Sequence, residues 1–174
     1  MTNLCGKTVR LRALEPEDLD LLYDWENDPS VWEVSGTLAP FSRNLLSKFI
    51  EQQQFDIYQT RQLRLVIEND GQRAVGLVDL FEFDPHNRRA GVGILVHDPS
   101  ERGKGYASDA LEVLVEYART TLRLHQLWCN VGVENQASRA LFRSAGFREV
   151  GVKKAWNRTP DGYEDELLLQ RMID

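Results

Sequence analysis

Arg102-Gly103-Lys104-Gly105-Tyr106-Ala107 is the stretch whose residue types and spacing point most directly to chemistry. Two cations and two glycines stand immediately before a segment with helical periodicity. The first N–H groups of a helix lack intrahelical partners and, with the helix dipole, favour an anion. Glycines let the backbone wrap closely around it. The combination predicts a phosphate or pyrophosphate site on residues 102–107. Read alone, the hexapeptide also fits an ordinary strand-to-helix turn.

Two familiar phosphate loops fail on named residues. A Walker A loop needs Ser or Thr after Gly-Lys, and here Gly105 follows Lys104. A dinucleotide fingerprint counted from Gly103 needs a third glycine where Ser108 stands. The acidic ribose ligand is also missing, because the next strand ends in Asn130-Val131. Neither Cys5 nor Cys129 has a Cys or His at metal-ligand spacing, so no metal site is expected. Cys129, on an expected inner strand, reads as a small buried residue rather than a nucleophile.

These residues need elements to position them. Residues 8–13 read as a strand and 18–25 as a helix that Asn27-Asp28-Pro29 ends. Residues 31–41 are aromatic and irregular, an ordered loop or short helix. A second helix is expected from Ser42, as N-cap, to about Phe55. Three strands follow at 63–67, 74–83 and 89–96, with a turn at Asn69-Asp70-Gly71. The clearest helix covers 107–122, with Ala107, Ala110, Leu111, Leu114, Val115, Ala118 and Leu122 on one face. A strand at 126–131, a short helix at 135–144 closed by Gly146, and strands at 147–154 and 166–172 complete the chain. The order predicts an α/β (α+β) fold, one domain over residues 1–174, with a mixed, mostly antiparallel central sheet flanked by helices.

Composition narrows the partners. The 174 residues carry 21 Lys plus Arg against 27 Asp plus Glu, a net charge of -6. An acidic chain argues against nucleic-acid binding, which runs on basic patches. No apolar run is long enough to span a bilayer. Two thiols and no leader at the start predict a reducing, cytoplasmic setting.

With the loop, its preceding strand and its following helix set out, the chain resembles the GNAT superfamily of N-acetyltransferases. The pattern R/Q-x-x-G-x-G/A matches Arg102, Gly105 and Ala107. Asn135 with Ser138, then Ala145-Gly146-Phe147, match the later motif, and residues 11–18 and 27–31 resemble the family's N-terminal segment. Within it, the chain is most similar to spermidine/diamine acetyltransferases and, a step further, to ribosomal-protein alanine acetyltransferases. The resemblance implies acetyl-CoA as cosubstrate and a primary amine as acceptor, a polyamine-like small molecule or a protein N-terminus. It allows a homo-oligomer.

It also implies site residues. The pantetheine arm would enter where the strand before the loop splays from its neighbour at a bulge, beside Leu95, Val96 and His97. An N–H of Leu95 or Val96 would polarise the thioester carbonyl. The pyrophosphate would sit on Arg102, Gly103, Lys104, Gly105, Tyr106, Ala107 and Ser108. Asn135, Ser138 and Phe142 share a helix edge that the family turns toward CoA, leaving Ala137, Ala140 and Leu141 on the core side. Asn135 also reads as an N-cap, Ser138 as a solvated serine and Phe142 as core.

Two departures bear on catalysis. Polyamine enzymes carry a tyrosine proton donor where this chain has Phe142; Ser138, Tyr163, Tyr106 or water would have to serve. Related enzymes often carry a glutamate where Gly91 stands, so Gly91 and Gly93 are expected to widen the acceptor side. For the base, Asp79 and Glu82 are the candidates, on opposite faces of one strand. Leu77, Asp79, Phe81 and Phe83 form the more apolar set and the expected core face, which favours Glu82 as the site residue. Glu33, beside Trp32, is a further acceptor contact, and Trp32 and Trp156 could wall an amine groove. The competing function is a non-catalytic acyl-CoA-binding module, favoured by Phe142 and Gly91.

Overall fold

The structure, a computed structural model, describes residues 4–174; the side chains of Glu33 and Val34 lie outside the described ones. The chain order is β1 (Val9–Ala13), α1 (Leu19–Glu26), α2 (Pro29–Ser35), α3 (Arg43–Gln52), α4 (Ile57–Thr60), β2 (Leu63–Asn69), β3 (Ala74–Asp84), β4 (Arg89–Val96), α5 (Tyr106–Thr120), β5 (Gln126–Gly132), α6 (Gln136–Ser144), β6 (Arg148–Thr159) and β7 (Gly162–Met172). Short 3-10 turns at Pro16–Asp18 and Pro99–Glu101 precede α1 and α5. The strands form one sheet in the order β1-β2-β3-β4-β5-β7-β6, and every neighbouring pair is antiparallel except β4 with β5. The mixed, mostly antiparallel α/β fold expected from the sequence is the one observed.

Local chemistry accounts for the boundaries. Ser42 caps α3 by accepting from the Leu45 N–H at 3.1 Å. Asp28 caps α2 through the Ser30 N–H at 2.9 Å, and Gly36 ends that helix at φ +70. The aromatic segment after Asn27 is thus partly helical. Asp56 caps the short α4, which the sequence pattern did not reveal. In the N-terminal segment, Arg12 forms a bidentate pair with Asp18 at 2.7 and 2.9 Å, fixing the entry into α1.

Over β2 and β3 the sheet is covered on both faces. On one, α5 packs Leu111, Leu114 and Ala118 against Leu65, Ile67, Val78, Leu80, Val92 and Leu127. Each such aliphatic side chain contributes roughly 1.5–3 kcal/mol by leaving water. On the other, Leu22 of α1 and Leu46 and Ile50 of α3 cover Val66 and Leu77. The single core face expected for β3 is therefore corrected. Val78 and Leu80 lie under α5, while Leu77 lies under α1 and α3. A strand buried on both sides carries no inside–outside alternation.

Candidate functional site

The loop after β4 is tied down from below and open above. Glu101 is buried and accepts from Lys104 Nζ at 2.8 Å and Arg73 Nη1 at 3.4 Å. Arg102 folds back, its Nε and Nη2 each donating at 3.0 Å to the carbonyls of Val96 and His97. Both cations expected to face a phosphate are thus engaged within the loop, and Glu101 holds the Lys104 ammonium above its usual pKa. What faces outward is backbone. Among the described residues, the N–H groups of Gly103 to Ser108 meet no protein acceptor, and Asp109 is the first to bond back, to the Gly105 carbonyl at 3.0 Å. Gly103 and Gly105 sit at φ +74 and +84 with nothing within 4 Å of a Cβ. They are required for left-handed backbone rather than for clearance. A row of free N–H groups at the start of α5 fits a pyrophosphate.

Beside this row the sheet opens. β4 and β5 pair over Arg89–Gly91 and Gln126–Trp128 and then part, although β4 runs on to Val96 and β5 to Gly132. The register of β4 on β3 is continuous from Gly91 to Val96, so the parting needs no bulge there; the bulge lies at Phe81/Asp84 on β3. Two bonds set the alternation. Gln126 N–H donates to Arg88 O at 3.3 Å, and His97 N–H donates to Val75 O at 3.1 Å. Odd residues of β4 accordingly face β3, and Val92, Ile94 and Val96 direct their N–H groups into the gap. Of the three residues named from sequence, Val96 alone has its N–H on the open side. Leu95 and His97 give theirs to β3, and Ile94 was missed. The signal that could have found it is parity counted along the strand.

His97 does something else with its side chain. Its ring stacks on Trp25 at 5.1 Å and 12°, and Nε2 lies 3.0 Å from Asp28 Oδ2 without hydrogen-bond alignment. Bonds from the side chain and N–H of Ser30, with smaller help from His97, hold the Asp28 carboxyl below the usual range.

On the sheet face of α1 and α3, two cross-strand rows end at the gap. In the first, Phe81 pairs with Gly91, and Gly91 with Trp128. A Cβ on Gly91 would stand 2.5 Å from the Phe81 ring, which meets Trp128 edge-on at 5.2 Å. The space vacated at Gly91 is therefore filled, not widened. In the second row, Arg64 pairs with Asp79 and Asp79 with Gly93. Arg64 donates to both Asp79 oxygens, at 2.7 and 2.8 Å, pairs with Glu26 and stacks on Phe49 at 5.1 Å. Burial opposes its charge, but Asp79 and then Glu26 outweigh that and hold the guanidinium above its ordinary pKa. A Cβ on Gly93 would find Phe81 at 3.8 Å and Asp79 at 3.9 Å, ordinary contacts, so this position is open.

Glu82 is not brought to these rows. It is exposed, at φ +47, in the bulge near the Arg89 end of β4, whereas the phosphate loop follows the Val96 end. The sequence missed Glu26 and Arg64, which lie far from Asp79 along the chain. The Glu33 side chain lies outside the described residues. Trp32 donates Nε1 to the Glu26 carbonyl at 2.9 Å, and Trp156 is 60% exposed with Lys153 Nζ over its ring at 4.7 Å.

On α6, Asn135 Oδ1 accepts from the Ser138 N–H at 3.1 Å, the expected cap. The helix is turned differently from expectation: Ala137 and Ala140 are exposed, while Phe142 is buried edge-on to Phe147 at 5.1 Å. Ser138 is half-buried, and its hydroxyl meets no partner among the described residues. Cys129 is buried and its thiol is pushed up to about 12 by burial, so it stays protonated and unreactive at neutral pH.

Comparison with known proteins agrees with this geometry. The profile of the acetyltransferase (GNAT) domain matches residues 8–148. Spermidine N(1)-acetyltransferase of Escherichia coli (strain K12) is 32% identical over 147 residues, covering 83% of this chain and 75% of that protein. The crystal structure of spermidine N-acetyltransferase from Vibrio cholerae in complex with CoA and spermine superposes with a TM-score of 0.85 at 26% identity, covering 95% of each chain. A dodecameric structure of spermidine N-acetyltransferase from Vibrio cholerae gives 0.77 at 25% identity, covering 94% of this chain and 93% of that one.

Proposed function

The chain belongs to the GNAT acetyltransferase family, and on that premise we propose that it moves the acetyl group of acetyl-CoA to a primary amine of a polyamine-like acceptor by direct attack. It is an acetyl-CoA-dependent N-acetyltransferase with acetyl-CoA as cosubstrate. The observation that carries the reading is the row of free N–H groups at Gly103–Ser108 beside the parted β4 and β5.

Acetyl-CoA brings an acyl group already activated for amine attack. The chain's part is to hold and polarise it. The N–H groups of residues 103–108 bind the pyrophosphate. Those of Ile94 and Val96 line the pantetheine gap, and one of them supports the developing oxyanion. Asn135 keeps its amide N–H2 free for the cofactor while its oxygen caps α6. Ser138 relays a proton from water to the departing thiolate, its hydroxyl taking one as it gives one, supported by its lack of a protein partner among the described residues. Phe142 packs in the core against Phe147. On the acceptor side, Arg64, Asp79 and Glu26 together carry one negative charge more than positive, which favours a cationic amine. Asp79 and Glu26 replace Glu82 as the carboxylates that relay the amine proton to water. The relatives that act on spermidine support a polyamine acceptor, and the dodecameric relative supports an assembly of several copies.

A thiol-release assay with acetyl-CoA tests this over polyamines, N-terminal peptides and amino sugars. Release with diamines and polyamines is expected. Tight CoA binding by calorimetry with no release for any amine would leave a non-catalytic acyl-CoA-binding module instead.

A further inference from the structure

We propose that Phe81, braced by Trp128, is the specificity-determining wall of the acceptor pocket and confines the attacking amine to the space over Gly93. This rests on the acetyltransferase reading above. β4 contributes no side chain at Gly91 or Gly93, so the surface at the inner end of the gap is made by its neighbours. Over Gly91 the Phe81 ring occupies the place of a side chain, with ring atoms at 2.5, 2.6 and 2.9 Å from where a Cβ would be. The ring reaches across β4 to meet Trp128 edge-on, bridging the strands at the last residue pair before they part. Over Gly93 nothing intrudes, and the two groups that border the space are the Phe81 ring and the Asp79 carboxylate.

An amine entering there meets the Phe81 ring on one side and the Asp79 carboxylate on the other. The carboxylate attracts an ammonium group, and the ring limits its bulk. The Asp79 carboxylate is fixed by two bonds from Arg64 and cannot swing aside to enlarge the space. A slender primary alkylamine fits between the rows. A primary amine whose α-carbon is branched, as at a peptide N-terminus, projects its branch at the Phe81 ring. The wall therefore discriminates by shape at the α-carbon, while the carboxylates favour positive charge.

The test measures kcat/KM for a diamine and for an α-branched amine of equal charge, in the wild type and in Phe81→Ala and Phe81→Leu. Truncating the ring should shift the ratio toward the branched amine by about tenfold or more for Ala and by less for Leu, consistent with the limited discrimination of an apolar wall. The Kd for CoA should stay within twofold, which also reports that each variant is folded. Unchanged ratios in variants that still bind CoA would overturn the proposal and leave the acetyltransferase reading standing. Absence of wild-type turnover with any amine would overturn that reading, and this one with it.

Discussion

The residue that most constrains the proposed acceptor side is Arg64, because it pairs with two half-buried carboxylates on different elements, Glu26 and Asp79. Its side chain and those of Glu26 and Asp79 are 17, 17 and 19% exposed. Removing one partner from a buried ion pair leaves an uncompensated charge, typically costing about 3–5 kcal/mol. Arg64→Met is expected to lower stability by that order, measured as a fall in the urea midpoint at neutral pH. Arg64→Met/Asp79→Asn should recover part of that stability at neutral pH, because it removes one of the two unpaired charges. Gly105 is constrained by backbone alone. At φ +84 an alanine costs roughly 1–2 kcal/mol. Gly105→Ala is therefore expected to weaken CoA binding about 5–30-fold by calorimetry, with little change in the KM of the amine.

At the scale of elements, α5 is held in register with β1 by a single carboxylate. Asp109 Oδ2 accepts from the Thr8 N–H at 2.7 Å, the Thr8 hydroxyl at 3.1 Å and the Val9 N–H at 3.1 Å. Partial burial pushes its pKa upward, but these bonds outweigh burial and hold it below the usual range. A depressed folded-state pKa contributes stability that is fully present above the ordinary carboxylate value and is lost as pH falls through the lower folded value. Asp109→Asn should cost about 1–3 kcal/mol at neutral pH, the usual range for bonds to a charged group. It should also flatten the acid limb of a urea-midpoint profile; an unchanged limb would assign the pH dependence elsewhere. What was legible in the sequence divides along the same line of scale. The period of α5, the caps at Ser42 and Asn135 and the glycine loop are local signals, and all appear in the structure. The face of β3 was not legible, because helices cover both of its sides. The turn of α6 was misjudged because alanines at 137 and 140 are small enough to sit exposed, while Phe142 carries the burial. The Phe81–Gly91–Trp128 row joins three strands, and nothing in a single strand's pattern records it.

Across the whole molecule, the gap divides the sheet into two parts joined by a short ladder. β1 to β4 lie on one side and β5, β7 and β6 on the other, with α5 packed across both through Leu111, Leu114 and Ala118. Past Gly91 and Trp128 the facing edges of β4 and β5 lack the bonds a continuous sheet would have. On the reading proposed above, a ligand that enters there would take the position of a missing strand. It would bond the open edge at Ile94 and Val96 while its pyrophosphate engages the start of α5, and so would brace the sheet as well as occupy a site. Binding only to the folded chain stabilises it by about 2.7 kcal/mol at a hundredfold excess over Kd. For a chain of this size that corresponds to a rise in Tm of roughly 5–11 °C. Acetyl-CoA should produce a shift of this order in a thermal melt and slow amide exchange at Ile94, Val96 and Gly103–Ser108 together. NAD or ATP should not slow exchange at Ile94 and Val96, because neither carries an arm to fill the gap. A melt shifted by acetyl-CoA with protection confined to Gly103–Ser108 would separate the two halves of the cofactor site and leave the parted strands without a ligand.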